Sequence, residues 1–378
     1  MLWRHLFPAA HELAAGLPEA AEAWPDCLGE RPRRAAFEWL EAPGLHCWLA
    51  DGAARTAGEE AAGAGPAPDP DVVEAVHDKA FALRGAETLD LTPACLDGLL
   101  HAYSPEALRR PEPFLADLEQ RLGAWPDWPR GRFTLKPRMG SSGRGRVGGR
   151  ADALDRPRLR ASLGRLAERG GAILEPWLER HGDLSVVLHI APTRTSGPPI
   201  TILGGLESLV TPAGVYLGHA GEIDSRGRVF ATGPEQELLR EAAVALAGHA
   251  RERGFWGPCG LDSLLFRGPE NEVAKSASGF VLRPVVEFNA RFTVGVIVVG
   301  LIRRILAGRP DALAVEPGER LGFFFALDTP SPWPSWEALA RSLGEAERLF
   351  PLAPPSAAAR PALLFSNQIP KLRESLAR

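Results

Sequence analysis

Two apolar segments of this 378-residue chain carry acidic side chains in the middle of what should be core. Gly260–Phe266 reads GLDSLLF and Phe280–Ala290 reads FVLRPVVEFNA. Both are short apolar runs that read as strands, the second rich in valine and phenylalanine. A polar turn region, Arg267–Gly279, joins them, so an antiparallel pair is expected. Residues two apart on a strand share a face, which puts Glu287 beside Asn289. Pairing of the two strands would bring Asp262 to the same place. Two carboxylates and an amide oxygen, with no His or Cys, form a hard oxygen set of the kind Mg²⁺ takes. Acids on the solvent face of two edge strands would show the same spacing. The apolar runs around them weigh against that, because an unpaired buried carboxylate is costly. A cation or an arginine is expected nearby, and Arg291, two residues past Asn289, could serve or could bind a substrate oxyanion.

A second segment supplies the opposite charge. Phe133–Lys136 (FTLK) reads as a short strand with Thr134 and Lys136 on one face. The glycine-rich stretch Gly140–Gly149 (GSSGRGRVGG) follows at once. Gly143, Gly145 and Gly148 match a G-x-G-x-x-G spacing, but no βαβ unit surrounds them, and no Gly-Lys-Ser/Thr follows as in a Walker A loop. Such a loop is either a surface hairpin or a cradle of backbone N–H groups, with the Ser141 and Ser142 hydroxyls, for polyphosphate oxygens. Between Arg130 and Arg169 there are twelve Lys or Arg and three acids. Arg156, Arg158, Arg160 and Arg165 read as a solvated helix face. Lys136 does not, since its ammonium can reach whatever the loop covers. A third segment, Ile173–Ser185 (ILEPWLERHGDLS), is a strand ending in an acid, a proline and a bulky apolar pair, with Asp183 beyond. Alone it reads as an acidic surface turn, or as a seat for a flat ring and a sugar.

In this order the segments resemble the ATP-grasp superfamily, over about residues 72–300. The resemblance is carried by FTLKPRMGSSGRG, ILEPWL with GDLSV, CGLDSLLF and VVEFNARFTVG, and is nearest to the D-alanine–D-alanine-ligase-like members. It implies an α+β fold in which two α+β subdomains sandwich ATP, preceded by a degenerate N-terminal α/β domain. The implied boundaries are 1–125 for the N-terminal domain, 126–180 for the small subdomain with the phosphate loop, 181–310 for the large subdomain with the metal site, and 311–378 for a Pro-rich, helical extension. His77–Arg84 (HDKAFALR) resembles the segment with a first phosphate-binding lysine, which would be Lys79. Lys136 would be the second. Gly140, Ser141, Ser142, Gly143, Arg144 and Gly145 would close over the β- and γ-phosphates. Pro176, Trp177 and Leu178 would form the adenine hinge, with the Pro176 carbonyl and the Leu178 N–H on the base, Glu175 would flank it, and Asp183 would take the ribose hydroxyls. Asp262, Glu287 and Asn289 would hold two Mg²⁺ ions. Arg291 would steady an acyl phosphate or tetrahedral intermediate. The implied activity is ATP-dependent ligation of a carboxylate to an amine through an acyl phosphate. A kinase of the same fold acting on a small acid, or a nucleotide-binding module without catalysis, are the alternatives. This chain departs from the pattern in two places. The ribose position is Asp and lies one residue further along, and Gly260 stands where ligases of two amino acids commonly carry an Arg.

Composition sets the remaining bounds. At 45% hydrophobic and 24% charged the chain is ordinary globular protein. Its 43 basic and 47 acidic residues give a net charge of −4, which argues against a nucleic-acid-gripping protein. Only Lys79, Lys136, Lys275 and Lys371 are lysines; the other basic residues are Arg. Cys27, Cys47, Cys95 and Cys259 lack metal-site spacing and read as thiols of a reducing compartment. Arg4, His5, His11 and Glu12 interrupt the N-terminal apolar run, so no signal peptide is expected. The longest apolar stretch in the second half, Val294–Ile302, is too short to span a bilayer. A cytoplasmic enzyme with small-molecule or peptide carboxylate and amine substrates is expected, without nucleic acid or membrane; a homo-oligomer is compatible with the sequence. Along the chain, helices are expected from Asp71 to Leu83, over Leu99–Leu122, over Pro157–Arg169, over Glu235–Gly254 and over Val294–Leu306. His219 and Glu222 read as sheet-end residues, and the tryptophans as packing residues.

Overall fold

The computed structural model describes residues 68–129, 131–140, 145–193, 198–211, 214–274, 276, 278–308, 313, 315–345, 348–352 and 360–369. Residues 1–67 of the expected N-terminal domain lie outside the described residues, as do Ser141, Ser142, Gly143 and Arg144 of the expected phosphate loop.

The strand pattern of the sequence builds two sheets whose pairings are antiparallel but for one bridge. The smaller has four strands: β1 (His101–Tyr103), β2 (Arg132–Pro137), β3 (Val147–Arg150) and β4 (Ala172–Pro176), in the order β1-β4-β2-β3. Strand alternation divides β2 cleanly. Phe133 and Leu135 pack under helices α4 (Pro111–Gly123) and α5 (Arg156–Glu168) in a core with Phe114, Leu118 and Leu163. Thr134 and Lys136 point the other way, level with Glu175 and Ile173 of β4. At Gly149 only hydrogen fits, because a Cβ would lie 2.7 Å from the Phe133 ring.

The expected helix over Leu99–Leu122 is therefore corrected. His101–Tyr103 is a strand, and a one-turn helix α3 (Pro105–Leu108) precedes α4. Pro105 and Pro111 sit in the first turns of their helices, where a missing N–H costs nothing, and they prevent one continuous helix. The helix expected to open at Asp71 is also two helices, α1 (Pro70–His77) and α2 (Lys79–Thr88). Asp69, not Asp71, caps α1. Asp78 is extended, at φ −62° and ψ 127°, and its carboxylate accepts from the Ala80 N–H at 2.8 Å, capping α2.

The larger sheet has nine strands: β5 (Arg180–Ile190), β6 (Ile200–Val210), β7 (Tyr216–Asp224), β8 (Val229–Phe230), β9 (Gly257–Phe266), β10 (Val281–Asn289), β11 (Arg320–Ala326), β12 (Leu349–Pro351) and β13 (Ala362–Phe365). Their order is β10-β9-β5-β6-β8-β7-β11-β13-β12. One face packs on α1, α2 and α6 (Gln236–Glu252) through Val186, Leu188, Leu261 and Phe288. The other meets α8 (Val294–Gly308) through Val187, Leu206, Phe323 and Phe325. A short helix α7 (Glu270–Val273) lies between β9 and β10, and α9 (Trp336–Ser342) covers the far end.

Residues 311–378, expected to be a helical extension, instead contribute β11, β12 and β13 to this sheet. Three consecutive phenylalanines, Phe323–Phe325, are buried, and they serve both faces of a central strand. The described part of the expected N-terminal domain is shared out as well. Residues 70–88 dock on the large sheet, and 101–123 belong with the small one. Among the described residues no helix is long and apolar enough to cross a membrane.

Candidate active site

The register of β9 and β10 decides the acidic half of the site. Glu287 lies directly opposite Asp262, and Asn289 opposite Gly260. The pairing shifts between Arg283 and Glu287, an irregularity at Pro284, which has no N–H to give to a ladder. Asn289 Nδ2 donates to Asp262 Oδ2 at 2.8 Å, and its Oδ1 accepts from Arg291 Nη2 at 2.9 Å. Ser185 of β5 lies opposite Asp262 on the other side. Burial, helped by the neighbouring Glu287 charge, pushes the Asp262 carboxyl up to about 6. Burial opposes ionisation of Glu287 too, but Lys79, Arg291 and Lys136 hold it below the usual carboxylate range. Two carboxylates forced together at the end of an apolar sheet are a site for positive charge.

The basic half comes from three elements. The break at Asp78 makes Lys79 the first residue of α2. Asp78 also binds Arg138 through both carboxylate oxygens, which ties α2 to the end of β2. Lys79 Nζ then sits 3.2 Å from Glu287 Oε1 and donates to the Gly140 carbonyl at 2.9 Å. Lys136 is paired with Glu175, and its side chain is only 12% exposed. Glu175 also accepts from Arg283 Nη1 at 3.0 Å, so a buried carboxylate joins two cations from opposite sheets. Burial would raise the Glu175 carboxyl, but Lys136 and Arg283 together hold it at about 2. Burial lowers Lys136 against the pull of Glu175.

These groups meet around one cavity of ≈170 Å³, lined by Lys79, Lys136, Gly140, Asp183, Asp262 and Glu287 among others. It opens into a cleft of ≈1370 Å³ that shares Arg180, Asp183, Ser208 and Tyr216 with it and reaches Trp177 and Leu178. The predicted residues divide as follows. Lys79, Lys136, Gly140, Asp183, Asp262 and Glu287 line the small cavity, and Trp177 and Leu178 the cleft. Asn289 is buried and bonded to Asp262, with Arg291 bonded to Asn289 in turn. Pro176 is the last residue of β4, opposite Phe133. Gly145, at φ +80°, closes the described end of the loop. Asp183 is held by Arg180 at 3.0 Å, and burial raises its carboxyl. Glu175 directly precedes Pro176 at the end of β4, and its carboxylate is turned into the Lys136–Arg283 pair, because burial at 5% exposure demands counter-charges.

Several site residues escaped the sequence reading. Arg283 sits in an apolar run directly before Pro284, and no local spacing sets it apart. Arg146 and Arg180 place their guanidiniums 5.2 and 5.4 Å from the Trp177 ring. Tyr216 lines both spaces, and its buried hydroxyl has no hydrogen-bond partner among the described residues. Burial and the nearby Asp262 charge push that phenol well up. His77 is buried beside the site, and burial, with Arg291 next in weight, lowers it to about 4. His219 is buried, its Nδ1 3.2 Å from the Glu207 carbonyl, as expected of a satisfied sheet residue. Among the described residues no group of three His, Cys, Asp or Glu forms a metal cluster. The acidic set is two carboxylates and an amide.

No protein-family model and no curated protein matches the sequence. Solved structures do match. One is an N5-carboxyaminoimidazole synthetase from Staphylococcus aureus in complex with ADP, at 12% identity and TM-score 0.50, covering 82% of this chain and 72% of that one. Another is the biotin carboxylase domain of the Hydrogenobacter thermophilus 2-oxoglutarate carboxylase, solved with MgADP and bicarbonate, at 13% identity and TM-score 0.49, covering 84% and 68%. A biotin carboxylase from Campylobacter jejuni follows at 12% and 0.48, covering 90% and 74%. The likeness to the first shows the fold, which is the ATP-grasp fold.

Proposed function

We propose that this chain is an ATP-dependent carboxylate–amine ligase that forms an amide or peptide bond and releases ADP and phosphate. The observation that carries the reading is one cavity lined by Lys136 from the small sheet, Lys79 from the start of α2, and Asp262 and Glu287 from the large sheet. Triphosphate would enter along the cleft, with adenine toward Trp177 and Leu178 and the γ-phosphate at the lysines. Lys79 and Lys136 would bind the phosphate oxygens as compact point charges. The donor set fits a hard divalent cation, since Asp262 and Glu287 are opposed in register and one of them is pushed up toward neutrality without it. Asp262, Glu287 and Asn289 would hold Mg²⁺, as two ions on the family pattern. Bound there, Mg²⁺ neutralises the charge that builds on the transferring phosphoryl group.

The rest of the chemistry is positioning. The substrate carboxylate attacks the γ-phosphorus, the bond to the bridging oxygen breaks, and ADP leaves. Lys136 is held in place by Glu175, and Lys79 by the Gly140 carbonyl. An amine then adds to the acyl carbon, and phosphate departs. Arg291, anchored by Asn289, would oppose the oxyanion of that step. The loop between β2 and β3 would exclude water, which would otherwise hydrolyse the acyl phosphate. ATP and Mg²⁺ demand is met in the cytoplasm, the location this reading implies.

Hydroxylamine trapping tests it. Incubation with ATP, Mg²⁺ and pools of candidate acids should yield a hydroxamate together with ADP. ADP with a stable phosphorylated acid would assign a kinase instead. ATP binding without turnover across the pools would leave a binding module.

A further inference from the structure

The nine-stranded sheet splits at one point. On its β7 side, β6 pairs through Glu207–Val210 with β7 and at Gly204 with β8. Upstream of Gly204 that edge carries no strand, and the Leu203 carbonyl is instead taken by Arg303 Nη2 of α8 at 2.7 Å. The split is a cavity of ≈430 Å³. Four arginines from four elements line it: Arg228 before β8, Arg240 of α6, Arg303 of α8 and Arg320 of β11. Glu237 is the only acid among its described lining residues. None of its described lining residues lines the cavity between Lys136 and Glu287, and it shares with the ≈1370 Å³ cleft Pro234 but none of its arginines.

The arginines are not there for packing. The side chains of Arg228, Arg240 and Arg320 are 64%, 36% and 44% exposed. Their existing partners use only part of each fork. Arg228 binds Asp224 through Nε at 2.6 Å, and Arg320 binds Glu222 through Nη1 at 3.0 Å. Arg240 reaches Glu237 only at 3.9 Å, a weak exposed contact. A guanidinium has five donors, so the other N–H groups remain for a ligand. Phe230 fixes two of the forks, with Arg320 at 4.1 Å and Arg228 at 5.6 Å from its ring. From the first turn of α6, Gln236 adds an amide to the lining and Glu237 its one acid among the described residues.

We propose that this split is a second anion site, separate from the ATP cleft, for a small phosphorylated molecule. Planar forks match phosphate oxygens two at a time, which favours phosphate over a simple halide. With guanidiniums against Phe230, recognition rests on the phosphoryl groups rather than on stacking of a base.

Calorimetric titration of the full chain with inorganic pyrophosphate, without Mg²⁺, tests this. Pyrophosphate can also enter the ATP cleft, so Lys136→Ala is titrated alongside Arg240→Gln/Arg303→Gln. A binding event that survives Lys136→Ala and weakens at least ~10-fold in the double arginine variant supports the site; loss of two charged donors covers such a change. It should also weaken with added salt. An isotherm unchanged by the arginine substitutions, or no event surviving Lys136→Ala, overturns it. The proposed ATP site is read separately, from the loss of the Lys136-dependent event.

Discussion

At the scale of single residues the site is an arrangement of buried charges that neutralise one another imperfectly. Glu287 should be the most sensitive. Glu287→Gln removes a charge that faces both Lys79 and Asp262. Turnover is expected to fall on the order of 10²-fold or more, as for other lost charge-stabilising groups. Lys136→Ala should cost as much, and steady-state assays of ADP release would measure both. Glu175 makes a different, thermodynamic prediction. Its carboxyl lies at about 2 in the folded chain, against 4.5 for the free group. A depressed carboxyl contributes stability that is full above its unfolded value and is lost as pH falls toward the folded one. The window is therefore from about pH 4.5 down to about pH 2. Glu175→Gln should flatten the fall in denaturant midpoint over that window. It should also lower stability at pH 7, because Lys136 and Arg283 would be left buried together. An unchanged acid limb would remove Glu175 from the account.

At the scale of elements, what could be read in advance followed from period and what could not followed from distance. Strand period places Glu287 with Asn289 and Thr134 with Lys136, and the short β9–β10 connection brings Asp262 to Glu287. The Glu175–Arg283 pair spans 108 positions, and no local pattern carries it. β12 and β13 are three and four residues long in a Pro-rich stretch. Their strand character comes from neighbours such as β11, not from their own propensity. The break at Asp78 is similar. The apolar spacing of Val73, Val76, Ala80 and Leu83 suits one helix, but the carboxylate prefers to cap α2 and bind Arg138. That break has a functional consequence, because it turns Lys79 toward Glu287. Asp78→Ala should cost about 1 kcal/mol as a lost cap, and more through the stranded Arg138. KM for ATP should rise more than kcat falls, since the change loosens the lysine rather than removing it. A stability loss with unchanged KM would confine Asp78 to a structural role.

At the scale of the whole molecule the near-neutral charge conceals a segregation. The basic stretch 130–169 belongs mostly to the small sheet, and the paired acids to the large one. The two sheets meet along the cleft, where Glu175, paired with Lys136, reaches across to Arg283, and Glu287 is answered by Lys79. Apolar contacts also cross the seam, Ile173 with Ala80 and Leu83 and Leu178 with Leu264 and Phe266, while the charges lining the cavity leave room for a ligand to add to them. A ligand that binds only the folded chain stabilises it by RT ln(1 + [L]/Kd), about 2.7 kcal/mol at a hundredfold excess over Kd. A non-hydrolysable ATP analogue with Mg²⁺ should therefore raise the melting temperature of the intact chain by several degrees. The same addition should raise it little in Lys79→Ala/Lys136→Ala, although the cleft walls are otherwise intact. Mg²⁺ without nucleotide should act on the wild type and on the double lysine variant alike, since Asp262, Glu287 and Asn289 remain in both. Glu287→Gln should reverse that pattern, losing the Mg²⁺ response. A nucleotide shift that survived loss of both lysines would place the triphosphate elsewhere in the molecule.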